Sequence, residues 1–179
     1  MKGIEVNLMD KIIVSEYGNA VETIGIEVFQ SASLVLQTKR LSEMVCEQIN
    51  NEDRNCLARA TVLMGAAALE ALLIEVAYIE KPELYDKREF RKTGFEKKIE
   101  MLKGKEFLPL CHEADKLWKY RIALTHSEPI NERTLKTGEI INAEGAQWVY
   151  KTLEEFVQII WNSKIPSWFS ETIEIRNQK

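Results

Sequence analysis

Apolar residues recur at helical spacing along most of the chain. Between residues 21 and 50 the core candidates are Ile24, Val28, Leu34, Val35, Leu41, Val45 and Ile49. The same spacing returns near the end of the chain, where the inward-facing residues are Val149, Leu153, Phe156, Val157 and Ile160. Only the N-terminal alternation of Ile4, Val6 and Leu8 differs, and it suits a short strand or a docked arm. The pattern predicts an all-α bundle of about five helices, with short strands left open at the termini.

The longest apolar run, residues 54–79, predicts the central helix. Between Ala60 and Ile79 the polar side chains are those of Thr61, Glu70, Glu75 and Tyr78. The run is long enough to cross a membrane, but two glutamates inside it would make that costly. A helix surrounded by other helices explains it better, and the small residues 65–68 would let its neighbours approach closely.

The 179 residues predict one helical domain, since the chain contains no repeat, low-complexity tract or linker. Its core would span about residues 54–162, with the helix of about 21–50 packed on it and a docked tail at 163–179. Neither the three cysteines nor the two histidines have metal-ligand spacing, so no metal or other cofactor is expected. Without an apolar N-terminal leader, reduced thiols fit a cytoplasmic protein.

The charge is distributed unevenly along the chain. A net charge of −4, from 24 basic and 28 acidic residues, argues against a general nucleic-acid coat. Lys81 to Lys105 nevertheless contains nine basic and five acidic residues. This basic segment is either a solvated helix and loop face or a surface for a polyanion. Its candidate RNA-binding residues are Lys87, Arg88, Arg91, Lys92, Lys97 and Lys98.

Arg121 and His126 mark the stretch with the most chemistry, WKYRIALTHSEP at 118–129. At ~100° per residue, Arg121 falls in the middle of an apolar helix face, where a lone charge would be costly. We therefore expect Arg121 to be buried and paired with Glu70, with Glu75 or Glu128 as alternative partners. Breaking such a pair by Arg121→Ala would cost about 3–5 kcal/mol.

An ALEALL run in an apolar helix, followed by a helix that ends in Arg-x4-His before a loop, resembles the HEPN superfamily. The resemblance covers roughly residues 54–162 and is most specific at Arg121 and His126. It implies a bundle of four or five helices, a homodimer that brings two motifs together, and often a metal-independent endoribonuclease. It also implies single-stranded RNA as substrate, and a nucleotidyltransferase-like or antitoxin protein as partner in toxin–antitoxin or anti-phage systems.

In such a site His126 would transfer protons and Arg121 would stabilise the charge that develops on the phosphorane. This chain departs from the family pattern at Ile122, where active members commonly carry a polar residue. Thr125, Ser127 or Glu128 would then have to orient the imidazole. The alternatives are structural: Arg121 as half of an ion pair and His126 as a C-terminal helix cap. In that case the protein is a catalytically inactive helical module that binds RNA or protein.

Overall fold

The computed structural model describes residues 30–125, 140–162, 164–167 and 169–170. Within these ranges the regular structure is entirely helical, which confirms the all-α prediction. Five helices have nine residues or more and two are shorter. They are α1 (Gln30–Glu47), α2 (Asn51–Glu80), α3 (Pro82–Tyr85), α4 (Arg88–Lys92), α5 (Phe95–Lys103), α6 (His112–Thr125) and α7 (Ala143–Ile160). Two 3-10 turns, Lys105–Phe107 and Pro109–Cys111, join α5 to α6. The strands considered at the termini lie outside the described residues.

Local sequence signals account for several helix ends. Asn50 caps α2, with its side-chain oxygen accepting a hydrogen bond from the backbone N–H of Glu52 at 2.9 Å. Pro82 cannot continue α2 and instead begins α3. Gly104 ends α5 with a φ of 102°, a backbone conformation that L side chains rarely adopt. Asn142 caps α7 through Gly145 N–H at 2.8 Å.

α2 is the central element of the bundle and packs against α1, α5, α6 and α7. It is the one helix among the described residues that is long and apolar enough to cross a membrane. However, 61% of its most apolar 18-residue window is buried inside the protein. Gly65 allows α7 to approach closely, because a Cβ there would lie 2.5 Å from Val149 Cγ1. The expected close contact at the small residues of α2 is therefore present.

The core predicted for α7 is confirmed, since all five of its named apolar residues are buried. Phe169, from the expected docked tail, is also buried in the main core. One core prediction for the first helix is wrong. Ile49 is 94% exposed, because α1 ends at Glu47 and Ile49 lies in the short connection between α1 and α2.

Candidate functional site around Glu70 and Arg121

Glu70 connects three helices through its two carboxylate oxygens. Its Oε1 accepts a hydrogen bond from Lys98 Nζ of α5 at 3.1 Å. Its Oε2 lies 4.0 Å from Arg121 Nη2 of α6. The predicted Glu70–Arg121 pair therefore exists, but it is the longer of the two contacts. Lys98, whose side chain is only 3% exposed, is the partner that Glu70 holds firmly.

Arg121 is not buried in the apolar face of α6 as the sequence pattern predicted. Its side chain is 35% exposed, and its guanidinium carbon lies 4.6 Å from the centre of the Trp118 ring. A long cationic side chain can cover apolar surface with its stem while its charged end remains in contact with water. Stacking on Trp118 adds a cation–π attraction, which is stronger for partly desolvated cations. The expected burial was wrong for this reason.

The indole under Arg121 is itself held by aromatic packing. Trp118 stacks on Phe95 of α5, with ring centres 6.1 Å apart and an angle of 23° between the planes. Phe95 packs in turn on Phe156 of α7 at 5.5 Å. Both phenylalanines are buried. Arg121 therefore lies on an aromatic support anchored in the core, which limits the positions open to its guanidinium.

The last turn of α6 carries the remaining described residues of the motif. The Thr125 hydroxyl donates to the backbone carbonyls of Arg121 at 2.9 Å and Ile122 at 3.3 Å. Ile122, which helical spacing places on the apolar face of α6, is 42% exposed. The buried residues of α6 are Ala114, Asp115, Leu117 and Tyr120, so the covered stripe ends before the last turn. The predicted residues His126, Ser127 and Glu128 lie outside the described residues.

A groove lies beside Glu70. It has a volume of about 390 Å³, within the usual size range of small-ligand sites. Four helices contribute its described lining, which is Gln30, Leu34, Ala67, Glu70, Ala71, Ile74, Tyr85 and Arg91. The groove thus joins the carboxylate that contacts Arg121 to Arg91, a member of the basic segment.

Most of the predicted RNA-binding residues of the basic segment are exposed, namely Lys87, Arg88, Arg91, Lys92 and Lys97. Arg91 is held in place, with its guanidinium carbon 4.7 Å from the centre of the Tyr85 ring and its Nε donating to the Tyr85 carbonyl at 3.1 Å. Lys97 pairs with Glu100 at 2.8 Å. Lys98 does not belong on this surface. Its ammonium is turned inward to Glu70, so its assignment as an RNA contact was wrong.

Glu75 is the buried carboxyl group of α2. From the sequence it was an alternative partner for Arg121, but it faces α1 and is 0% exposed. Ser31 N–H donates to Oε1 at 2.8 Å, and the Ser31 hydroxyl hydrogen-bonds Oε2. Burial raises the pKa of Glu75 to about 8, although the bonds from Ser31 favour the charged form. Glu75 therefore ties the start of α1 to α2 and takes no part in the Arg121 site.

Sequence periodicity indicates that Lys98 is buried, although the count of basic residues grouped it with exposed ones. Lys98 lies three residues after Phe95 and four before Leu102, so it shares the buried face of α5. For the groove no comparable signal exists, because its lining comes from four consecutive helices, and the angles at which they pack are not encoded in the local pattern.

No metal-binding cluster of three or more His, Cys, Asp or Glu residues was found in the part of the chain that the structure describes. Around Glu70 the described residues place a carboxylate between the cations Lys98 and Arg121, and the partly exposed guanidinium of Arg121 lies on an aromatic support. Such an arrangement can bind an anion at Arg121 and accept hydrogen bonds at Glu70. Comparison with protein-family models, with curated proteins and with solved structures gave no match to this chain.

Proposed function

We propose that this protein is a HEPN-like endoribonuclease that cleaves single-stranded RNA through Arg121 and His126, and that it acts as a homodimer in the cytoplasm. The single observation that carries the proposal is that the Glu70 carboxylate contacts two cations, Lys98 and Arg121, at different distances. Lys98 Nζ forms an ion pair with Glu70 Oε1 at 3.1 Å. Arg121 Nη2 lies farther away, 4.0 Å from Oε2, and the arginine side chain remains 35% exposed. A guanidinium held only for structure would be expected in the closer, more buried place.

The geometry of Arg121 suits a phosphate contact. Guanidinium groups bind phosphate through two parallel N–H donors, and their stacked side can rest on an aromatic ring at the same time. Trp118 provides that ring. As the phosphorane forms during RNA cleavage, the extra negative charge would develop beside the guanidinium and be stabilised there.

The proposed reaction exchanges one P–O bond for another and uses two proton transfers, one from the 2′-oxygen and one to the 5′-oxygen. A neutral His126 imidazole takes the proton of the ribose 2′-OH, and the 2′-oxygen attacks the adjacent phosphorus. The bond from phosphorus to the 5′-oxygen then breaks, and an imidazolium returns a proton to that oxygen. The products are a 2′,3′-cyclic phosphate and a 5′-hydroxyl. In a homodimer the partner subunit's imidazole could serve as the acid while the first serves as the base.

The decisive experiment measures cleavage of a labelled single-stranded RNA in the presence of EDTA. We expect the wild-type protein to cleave and His126→Ala to lose at least about 100-fold in rate, the usual contribution of a general acid or base. His112→Ala is the matched control, because it removes the other histidine, which is exposed at the start of α6. Equal cleavage by the wild type and His126→Ala, or no cleavage by either, would remove the enzyme proposal.

A second candidate function is a catalytically inactive module that binds RNA or a protein such as an antitoxin or a nucleotidyltransferase-like partner. Ile122 favours it, since this apolar side chain is 42% exposed directly beside Arg121. An exposed apolar residue suits a protein contact better than a phosphate contact. Ile122→Asn distinguishes the two functions. Higher cleavage in this variant supports a site weakened by the isoleucine, whereas loss of a co-purifying partner supports docking.

A further inference from the structure

The groove beside Glu70 combines an apolar lining with a small number of polar groups. Leu34, Ala67, Ala71 and Ile74 supply apolar surface from α1 and α2. Glu70 contributes a carboxylate whose side chain is 32% exposed. A flat, partly apolar ligand with hydrogen-bond donors along one edge would match this combination.

Glu70 retains acceptor capacity in this groove. An ionised carboxylate has about four lone-pair positions and no donor. Among the described residues, Lys98 takes one position on Oε1 at 3.1 Å, and Arg121 lies beyond hydrogen-bonding distance of Oε2 at 4.0 Å. Two adjacent oxygens are thus available to two adjacent donors.

We propose that this groove binds a guanine base of the RNA, with Glu70 accepting hydrogen bonds from guanine N1–H and the N2 amino group. The proposal rests on RNA as the substrate class, as given in the proposed function, and names the base that the site selects. Sequence-specific recognition of single-stranded RNA generally reads the Watson–Crick edge of an unstacked base.

Guanine is favoured because of the donor pattern on this edge. It presents N1–H and N2–H side by side, which matches both oxygens of one carboxylate. Adenine and cytosine each present one amino group next to a ring nitrogen lone pair, which a carboxylate repels. Uracil presents one N–H between two carbonyls, so it meets two repulsive contacts. The carboxylate therefore discriminates against the other three bases as well as attracting guanine.

Arg91 and Gln30 complete the groove in a way that suits a nucleotide. Arg91 is fixed over Tyr85 and keeps donors beyond the Nε that bonds the Tyr85 carbonyl, so it can contact a phosphate of the same strand. The side-chain amide of Gln30, at the start of α1, can donate to the guanine O6 carbonyl. Both residues are exposed.

The test measures binding by isothermal titration with four 2′-O-methyl tetranucleotides, UUGU, UUAU, UUCU and UUUU. These probes lack the attacking hydroxyl, so binding is measured apart from cleavage. We expect UUGU to bind about tenfold or more tightly than the other three, as a good bidentate base contact provides. Glu70→Gln, which replaces one acceptor with a donor, should bring UUGU to the affinity of the others.

Glu70→Gln also changes the partner of buried Lys98, so a second variant keeps the test independent of folding. Ala71→Leu adds bulk to the groove lining and changes neither Glu70 nor Lys98, so we expect it to fill the groove with their contact kept. It should abolish the preference for UUGU. Ala60→Leu on the same helix, outside the groove lining, should behave as the wild type.

Equal binding of the four probes to the wild type, or no measurable binding, would overturn the guanine assignment, as would a preference that survives Ala71→Leu. Cleavage of ordinary RNA is scored separately on the same preparations. Cleavage without preference for guanine leaves the nuclease proposal standing and ends this one. A preference for UUGU without cleavage supports the guanine assignment and contradicts the nuclease proposal.

Discussion

Lys98 and Glu70 form the closest ion pair of the site, with Nζ and Oε1 3.1 Å apart and the lysine side chain almost fully buried. The contact ties α5 to α2, although 28 residues separate the two along the chain. A buried ammonium without a partner would be costly, whereas Glu70 still reaches solvent. Loss of the ion pair would therefore cost more free energy at Lys98 than at Glu70.

Glu70→Ala should lower the free energy of unfolding by about 3 kcal/mol, because it leaves Lys98 buried without its partner. Adding Lys98→Met should restore at least half of that loss, since the double variant buries no charge. Urea unfolding of the four proteins in this cycle measures the coupling. The exposed Lys97→Met is the control and should have little effect. A double variant no more stable than Glu70→Ala would contradict the buried-pair interpretation.

Arg121→Ala should lower the free energy of unfolding by about 1 kcal/mol or less. The loss of about 3–5 kcal/mol predicted from the sequence applies to a buried pair, whereas the guanidinium is partly exposed and Glu70 keeps Lys98 as a partner. The same substitution should abolish RNA cleavage if Arg121 binds the phosphate. Arg59→Ala, at an exposed position on α2, is the matched control for both measurements. A loss of several kcal/mol would show that Arg121 is a structural residue.

Glu75 should make the protein less stable as the pH rises. Its pKa is about 8 in the folded state and near 4.5 when solvated, so the folded protein binds the extra proton between these values. Stability should therefore fall from about pH 4.5 to pH 8, by up to about 1.4 kcal/mol per pH unit from this one group. Below about pH 4.5 both states are protonated, and no further change from Glu75 is expected.

Glu75→Gln tests this assignment, because it keeps a polar group beside Ser31 that cannot ionise. From pH 5 to pH 8 the unfolding free energy of the wild type should fall relative to that of Glu75→Gln. Glu47→Gln, at an exposed position on α1, is the control and should lose stability with rising pH as the wild type does. Parallel pH profiles of the unfolding free energy for the wild type and Glu75→Gln would contradict the raised pKa of Glu75.

Gly65→Ala should destabilise the contact between α2 and α7. The added Cβ would lie 2.5 Å from Val149 Cγ1, and a stiff β-branched side chain cannot turn away freely. Overpacking of this kind costs about 1–3 kcal/mol, against about 1 kcal/mol that alanine gains in helix propensity. In a Val149→Ala background the same change should become neutral or stabilising. Gly94→Ala, with nothing within 4 Å of its Cβ, is the control.

Helical periodicity was sufficient to predict α7 and the central position of α2, because in each case the apolar stripe is long and continuous. It was insufficient at Ile49, which was assigned to the core but is exposed, and at Ile122, which falls on the apolar face of its helix but is also exposed. Ile49 lies just after α1, and Ile122 lies in the last turn of α6. Periodicity gives the direction in which a side chain points, but not how far the neighbouring helices extend to cover it.

The sequence by itself determined the all-helical class, the apolar α2 and the pairing of Glu70 with Arg121 as one of three open choices. Only the tertiary structure decided that Lys98 takes the closer place at Glu70 and that Glu75 turns to Ser31. The physical reason is that a charged side chain is stabilised by whichever groups the packed helices bring within a few ångströms. Those groups come from positions 28 and 44 residues away, a separation that local sequence patterns do not encode.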